Sequence, residues 1–218
     1  MSRVEKISKN LSSKLGERLN KTDEEIAVLN YGLFIIMHTT ISIIATIFIG
    51  ILTKTTLEII IIAFTGALFK RYSGGIHAST PLNCTIIGVL LALVLSMVCK
   101  YIVDVAILKD IIVLATILFT LSYIILYKKC PVPSKNKPFK SEELRKKIRR
   151  RAFRLINICL AMVVAMITIY TKTDILTIKT IIVSIVLGMS LQMFGIINIG
   201  SKFIKFLDKI LSIKIKSN

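Results

Sequence analysis

The chain of 218 residues is short of acidic side chains, of cysteine and of histidine, and each shortage narrows what it can be. Twelve Asp and Glu face thirty Lys and Arg, a formal net charge of +18. Four cysteines set no disulfide framework. Cys99 and Cys159 fall inside apolar runs and read as small buried hydrophobes, while Cys84 and Cys130 read as thiols at a reducing face. Only two histidines are present and HExxH is missing, so no zinc-peptidase helix is written here. Residues 1–30 are polar for longer than the charged leader of a secretory signal, so no cleavable signal is expected. Neither an internal repeat nor a low-complexity linker divides the chain, which reads as one integral-membrane domain over 1–218.

What the sequence does have is apolar length. Hydrophobic residues make up 54% of it and its mean hydropathy is +0.75, which excludes an ordinary soluble domain. A bilayer span takes about 20 mostly apolar residues. Candidates run over 31–53, 84–103, 111–127, 155–171 and 180–200, with a sixth over 57–69. The sixth is short and carries Glu58, so it must be shielded by neighbours, extend toward Gly74 and Gly75, or stop short of crossing. The expected fold is therefore all-α, a polytopic membrane helix bundle of about six spans over 31–200. With both termini inside, 25 of the Lys and Arg fall on the cytoplasmic side and 5 outside, as the positive-inside rule requires. Such border charges orient the protein and attract anionic lipid headgroups, so nucleic acid is not an expected partner.

Outside the spans, Val4, Ile7, Leu11, Leu15 and Leu19 recur at helical spacing among lysines and serines, an amphipathic cytoplasmic helix. Thr22 and Glu25 form a capping-box pattern that starts the helix into the first span. Three prolines break the chain over 130–138, within a basic cytoplasmic stretch at 128–154, and Ser141 opens a basic helix into the fifth span. Phe203, Phe206, Leu207, Ile210 and Leu211 mark a second interfacial helix over 201–218.

The chemistry concentrates in 70–84, the one place where histidine and cysteine approach in sequence. Pro81 suits a first helical turn, with Thr80 or Ser79 as N-cap, which puts Cys84 in the opening turn of the third span. The free N–H groups and helix dipole there favour a thiolate, and those N–H groups, with the Asn83 amide, could donate to an oxyanion. His77 precedes the cap and can act as base toward Cys84. Glu58, Asn83 or a backbone carbonyl could orient it. Lys70 and Arg71 add positive charge, and Gly74 and Gly75 let the backbone turn tightly and approach a substrate. His38, two turns into the first span, reads as an interior histidine.

The run Arg71-x-x-Gly-Gly-x-His77-Ala-x-x-x-x-x-Cys84 resembles the active-site segment of the accessory gene regulator protein B family, AgrB. The Pro-Val-Pro-Ser-Lys-Asn-Lys-Pro stretch at 131–138 is similar to that family's cytoplasmic loop, and length, span number and basic helices agree across nearly the whole chain. The resemblance implies a membrane cysteine endopeptidase of Gram-positive bacteria, with Cys84 as nucleophile and His77 as base, acting in quorum sensing. Its expected substrate is an AgrD-like propeptide, whose acidic tail is cut off while the rest is held as a thioester. An internal Cys or Ser then closes a thiolactone or lactone ring. No cofactor or metal is implied. Lys70, Arg71 and the basic stretch 135–154 would complement the acidic tail.

Expected partners are this propeptide, anionic membrane lipids and, in a homodimer, a second copy of the chain. Two rival readings stand beside this one. One is a zinc site built from His77, Cys84 and Cys130, at a spacing that matches no tight pattern. The other is a membrane peptide transporter or sensor without chemistry, for which Glu58 would mark a path.

Overall fold

The computed structural model describes residues 3–75, 78–132 and 141–216. These form eight helices and no strand: α1 (Arg3–Arg18), α2 (Asp23–Thr53), α3 (Thr56–Ser73), α4 (Pro81–Val105), α5 (Leu108–Lys129), α6 (Glu142–Thr173), α7 (Leu176–Ile196) and α8 (Asn198–Lys216). Of these, α2, α4, α5, α6 and α7 are long and apolar enough to cross a membrane. The chain divides into two compact units, Met1–Thr46 and Ile47–Asn218, the division falling inside α2.

In the first unit the capping box forms as its residues dictate. The Thr22 hydroxyl accepts from the Glu25 amide at 3.3 Å, and the Glu25 carboxylate accepts from the Thr22 amide at 3.0 Å. Lys21 adds an ion pair to Glu25 at 2.8 Å. Farther along α2, the His38 ring stacks on Phe34, one helical turn earlier, at a centroid distance of 5.7 Å.

The second unit is organised around α7, which α3, α4, α5, α6 and α8 all touch. Ile182, Val183, Val186, Met189 and Met193 are buried on it. Small residues let α3 come close: a Cβ on Gly188 would stand 2.7 Å from the Ile62 carbonyl, and one on Gly66 would stand 3.4 Å from the Gly188 carbonyl. Membrane helices pack by this kind of approach, since lipid gives them no hydrophobic drive to associate. α3 is the short sixth candidate. At 18 residues it is not among the five long apolar helices. It is shielded as its charges demand, with Ile59, Ile62 and Phe69 wholly buried among its neighbours, and it extends to Ser73. Glu58 sits in its first turn, where the helix dipole favours a carboxylate.

One boundary departs from the sequence expectation. The apolar run 180–200 is not one span: α7 ends at Ile196, Ile197 is extended, and α8 turns away from Asn198. The bend brings Gly200 onto the backbone of Phe194, where any Cβ would collide with the carbonyl oxygen. At one end of the unit, the Lys179 ammonium donates to the Val103 carbonyl at 2.7 Å and joins the start of α7 to the end of α4. The other end gathers the close of α3, the start of α4, the close of α5 and the start of α6, and there the candidate site lies.

Candidate active site

The start of α4 follows from its residues. Thr80 is the N-cap in extended conformation, and its hydroxyl accepts from the Asn83 amide at 3.1 Å. Pro81 fills the first turn, where a missing N–H costs nothing. The Cys84 amide donates to the Thr80 carbonyl at 3.1 Å. Cys84 therefore stands in the opening turn, half-buried, while Cys99, Cys130 and Cys159 are buried. Burial pushes the Cys130 thiol up to about 11 against the opposing pull of the Arg149 charge, so Cys130 is a protonated thiol at neutral pH. The structure leaves Cys84 as the one accessible sulfur among the four.

A cation meets that sulfur. Lys70, in the last turn of α3, points its ammonium at the Cys84 sulfur, 3.4 Å away. A charged donor in contact with sulfur stabilises negative charge as it develops there. Arg71, one residue on, is exposed and lies 5.8 Å from the ring centre of Tyr72, so it is not in this contact. His77 lies outside the described residues.

The two glycines turn the chain between α3 and α4. Gly74 has φ +75 and ψ −156, and Gly75 has φ +134, conformations that side chains resist. What the Gly74 backbone approaches is the chain itself rather than open space for a substrate. Val132 donates its amide to the Ser73 carbonyl at 2.9 Å, and a Cβ on Gly74 would collide with the Val132 carbonyl oxygen. Gln192 of α7 fastens the turn from below, donating to the Ser73 hydroxyl at 3.0 Å and the Gly74 carbonyl at 2.8 Å. Nothing in the local sequence of α7 marks this role, apart from an amide in an otherwise apolar run.

Asn83 is placed differently from its expected use. Its side-chain N–H groups are already given to Asp208 at 2.7 Å and Ser212 at 3.0 Å, both on α8. The amide is therefore not a free donor for an oxyanion. In this turn Pro81 has no N–H, and the Asn83 and Cys84 amides are taken. The Leu82 amide is left, among the described residues, without an acceptor. Asp208 also accepts from the Ser79 amide at 2.8 Å and the Ser79 hydroxyl at 2.9 Å. Burial works to raise its carboxyl, but the hydrogen bonds from Asn83 and Ser79 prevail and hold it below the usual carboxylate range.

At the same end, a basic groove of about 510 Å³ lies open along α6, lined by Lys146, Arg149, Arg150, Phe153, Arg154 and Asn157. Arg149 is fixed by donating to the Tyr127 carbonyl at 2.7 Å and by lying over the Tyr127 ring. The Tyr123 hydroxyl bonds Asn157 across the two helices. The remainder of the basic stretch, 133–140, lies outside the described residues. Among the described residues no three His, Cys, Asp or Glu side chains cluster as a metal would need.

Comparison with known proteins gives a consistent answer. The family model Accessory gene regulator B matches residues 5–196. An AgrB-like protein of Clostridium perfringens strain SM101 is 30% identical over 206 residues, covering 94% of this chain and 96% of its own length. Another, from strain 13, is 28% identical over the same coverage. An AgrB-like protein of Listeria innocua is 30% identical over 133 residues, or 61% of this chain and 62% of its own. No solved structure matches this chain.

Proposed function

Since the chain belongs to the accessory gene regulator B family, and with it to the agr quorum-sensing system, we propose that it is a membrane cysteine endopeptidase. In this reading it removes the acidic tail of an AgrD-like propeptide and hands the remainder on for cyclisation. The observation that carries the reading is the half-buried Cys84 thiol at the mouth of α4 with the Lys70 ammonium 3.4 Å from its sulfur. Cys84 attacks the scissile carbonyl, His77 takes the thiol proton and later gives it to the leaving amine, and a thioester forms. Lys70 stabilises charge on sulfur, and the Leu82 amide is the donor available to the oxyanion. An internal Cys or Ser of the propeptide then attacks the thioester and closes the ring, regenerating the Cys84 thiol.

Two further features support this reading. The end of the bundle that carries Cys84 also carries Lys70, Arg71 and the basic groove of α6, which complement an acidic peptide segment. By the positive-inside rule this end faces the cytoplasm, where an unexported propeptide would be found.

The test is an immunoblot of a co-expressed propeptide carrying a tag on its tail. The tail should be lost in the presence of the chain and also with Cys130→Ala, whose sulfur is buried. Lys70→Gln should slow tail removal about 10- to 100-fold, the value of a hydrogen bond to a developing charge. Lys70→Arg should recover part of it. A Lys70→Gln protein that cleaves at the wild-type rate would remove the cation from the mechanism.

A further inference from the structure

α8 begins at Asn198, beyond the residues 5–196 that the family model matches, yet it is bonded to the opening turn of α4. Its one acid, Asp208, is set among lysines, and among the described residues it forms an ion pair with none of them. The carboxylate is committed to the neighbouring helix instead. One oxygen accepts from the Ser79 amide at 2.8 Å. The other accepts from the Ser79 hydroxyl at 2.9 Å and the Asn83 side-chain amide at 2.7 Å. Ser212, one turn farther along α8, meets the same two residues at 3.2 and 3.0 Å. Ser79 stands just before the Thr80 N-cap, and Asn83, which is 1% exposed, just before Cys84. The bonds from α8 thus grip both ends of the stretch 79–83, at a helix N-terminus whose dipole favours an acid.

We infer that Asp208 is a positioning residue: it clamps the stretch 79–83 onto α8 so that the Cys84 sulfur is held against the Lys70 ammonium, which makes α8 a working part of the site. The inference rests on the reading of Cys84 as the nucleophile. Lys70 of α3 and Asp208 of α8 are the charged side chains bonded to this turn among the described residues. As a bare charge Asp208 would work against Lys70, because a carboxylate opposes negative charge on a nearby sulfur. As a clamp it works with Lys70, by keeping sulfur and ammonium in contact. The two roles therefore predict opposite signs when the carboxylate is removed. Asp208 bonds the turn and does not itself touch substrate, so it bears on the rate of attack rather than on substrate affinity.

The full-length protein, purified in detergent, tests this by two readouts. Tail cleavage of the propeptide gives kcat and KM. The rate of Cys84 alkylation by iodoacetamide at neutral pH, read by peptide mass spectrometry, reports the sulfur without needing turnover. Asp208→Ala should lower kcat about 10- to 100-fold, as a displacement of up to about 1 Å would, with KM within about twofold. It should also slow alkylation about 3- to 10-fold. In a Lys70→Gln background it should add little to either loss, because both changes break one contact. Asp208→Glu keeps the charge but changes its reach, so both readouts should fall there too, and it decides the matter if the alanine variant does not fold. Lys209→Ala, exposed on the same helix and outside the network, should match the wild type. Faster alkylation in Asp208→Ala would make the residue a bare opposing charge and overturn the inference. So would wild-type values in either Asp208 variant, losses that multiply in full with Lys70→Gln, or a rise in KM at unchanged kcat, which would assign a substrate contact. Any of these beside an inactive Cys84→Ala sinks the clamp alone. If Cys84→Ala itself still removes the tail, the assignment of the nucleophile has failed instead.

Discussion

Cys84→Ala is expected to abolish tail removal, with a loss on the order of 10⁴- to 10⁶-fold, and His77→Ala to come close to it. The two losses should not add, because nucleophile and base act in one step and neither works without the other. Cys84 is the sulfur that can meet a substrate: it is half-buried, whereas the other three are buried. Cys130 is the nearest rival in position, yet burial holds it as a thiol and its sulfur faces the Tyr72 carbonyl at 3.9 Å. Cleavage rates of the two single variants and the double variant, with membrane insertion checked by fractionation, decide it. A Cys84→Ala protein that trims the tail at a measurable fraction of the wild-type rate would end the assignment.

Gly74→Ala is expected to have the next largest effect, and for a different reason. The backbone conformation there costs a non-glycine residue about 1–3 kcal/mol before any contact is counted. The new methyl would also collide with the Val132 carbonyl, which is backbone and cannot rotate away. Relief requires the connection between α3 and α4 to shift, and with it Lys70 relative to Cys84. Both thermal stability in detergent and cleavage should fall, cleavage by about 100-fold for a displacement near 1 Å. Gly88→Ala is the control. Gly88 lies inside α4 with open space around it, so the change should be neutral or slightly stabilising. Equal behaviour of the two variants would mean that the turn is not what sets the site.

The sequence was most informative where the physics is local. Thr22 with Glu25, Thr80 with Asn83, and Ser141 with Leu144 all cap helices through bonds three residues long, and each is present at hydrogen-bond distance. The weakness of the 57–69 run was also legible, since a short helix carrying Glu58 could be stable only if neighbours covered it. The break at Ile197 was not, because the run 180–200 is apolar on both sides of it and hydropathy has no edge there. Gly200 was the available cue. Least legible were the side chains that finish the site. Gln192 and Asp208 reach it across 118 and 125 residues of sequence, and no periodicity or spacing reports a contact of that range. Asp208 was nevertheless conspicuous as one acid among the lysines of α8.

The central claim is that Cys84 carries the propeptide as a thioester, and the direct measurement is to trap it. Cells expressing the wild-type chain with a propeptide lacking its internal nucleophile should accumulate the acyl-enzyme, since transfer has no acceptor and a sheltered site slows hydrolysis. On a non-reducing gel the account predicts a heavier band that neutral hydroxylamine removes and that Cys84→Ala never forms. A band that resists hydroxylamine, or one that persists without Cys84, would contradict it.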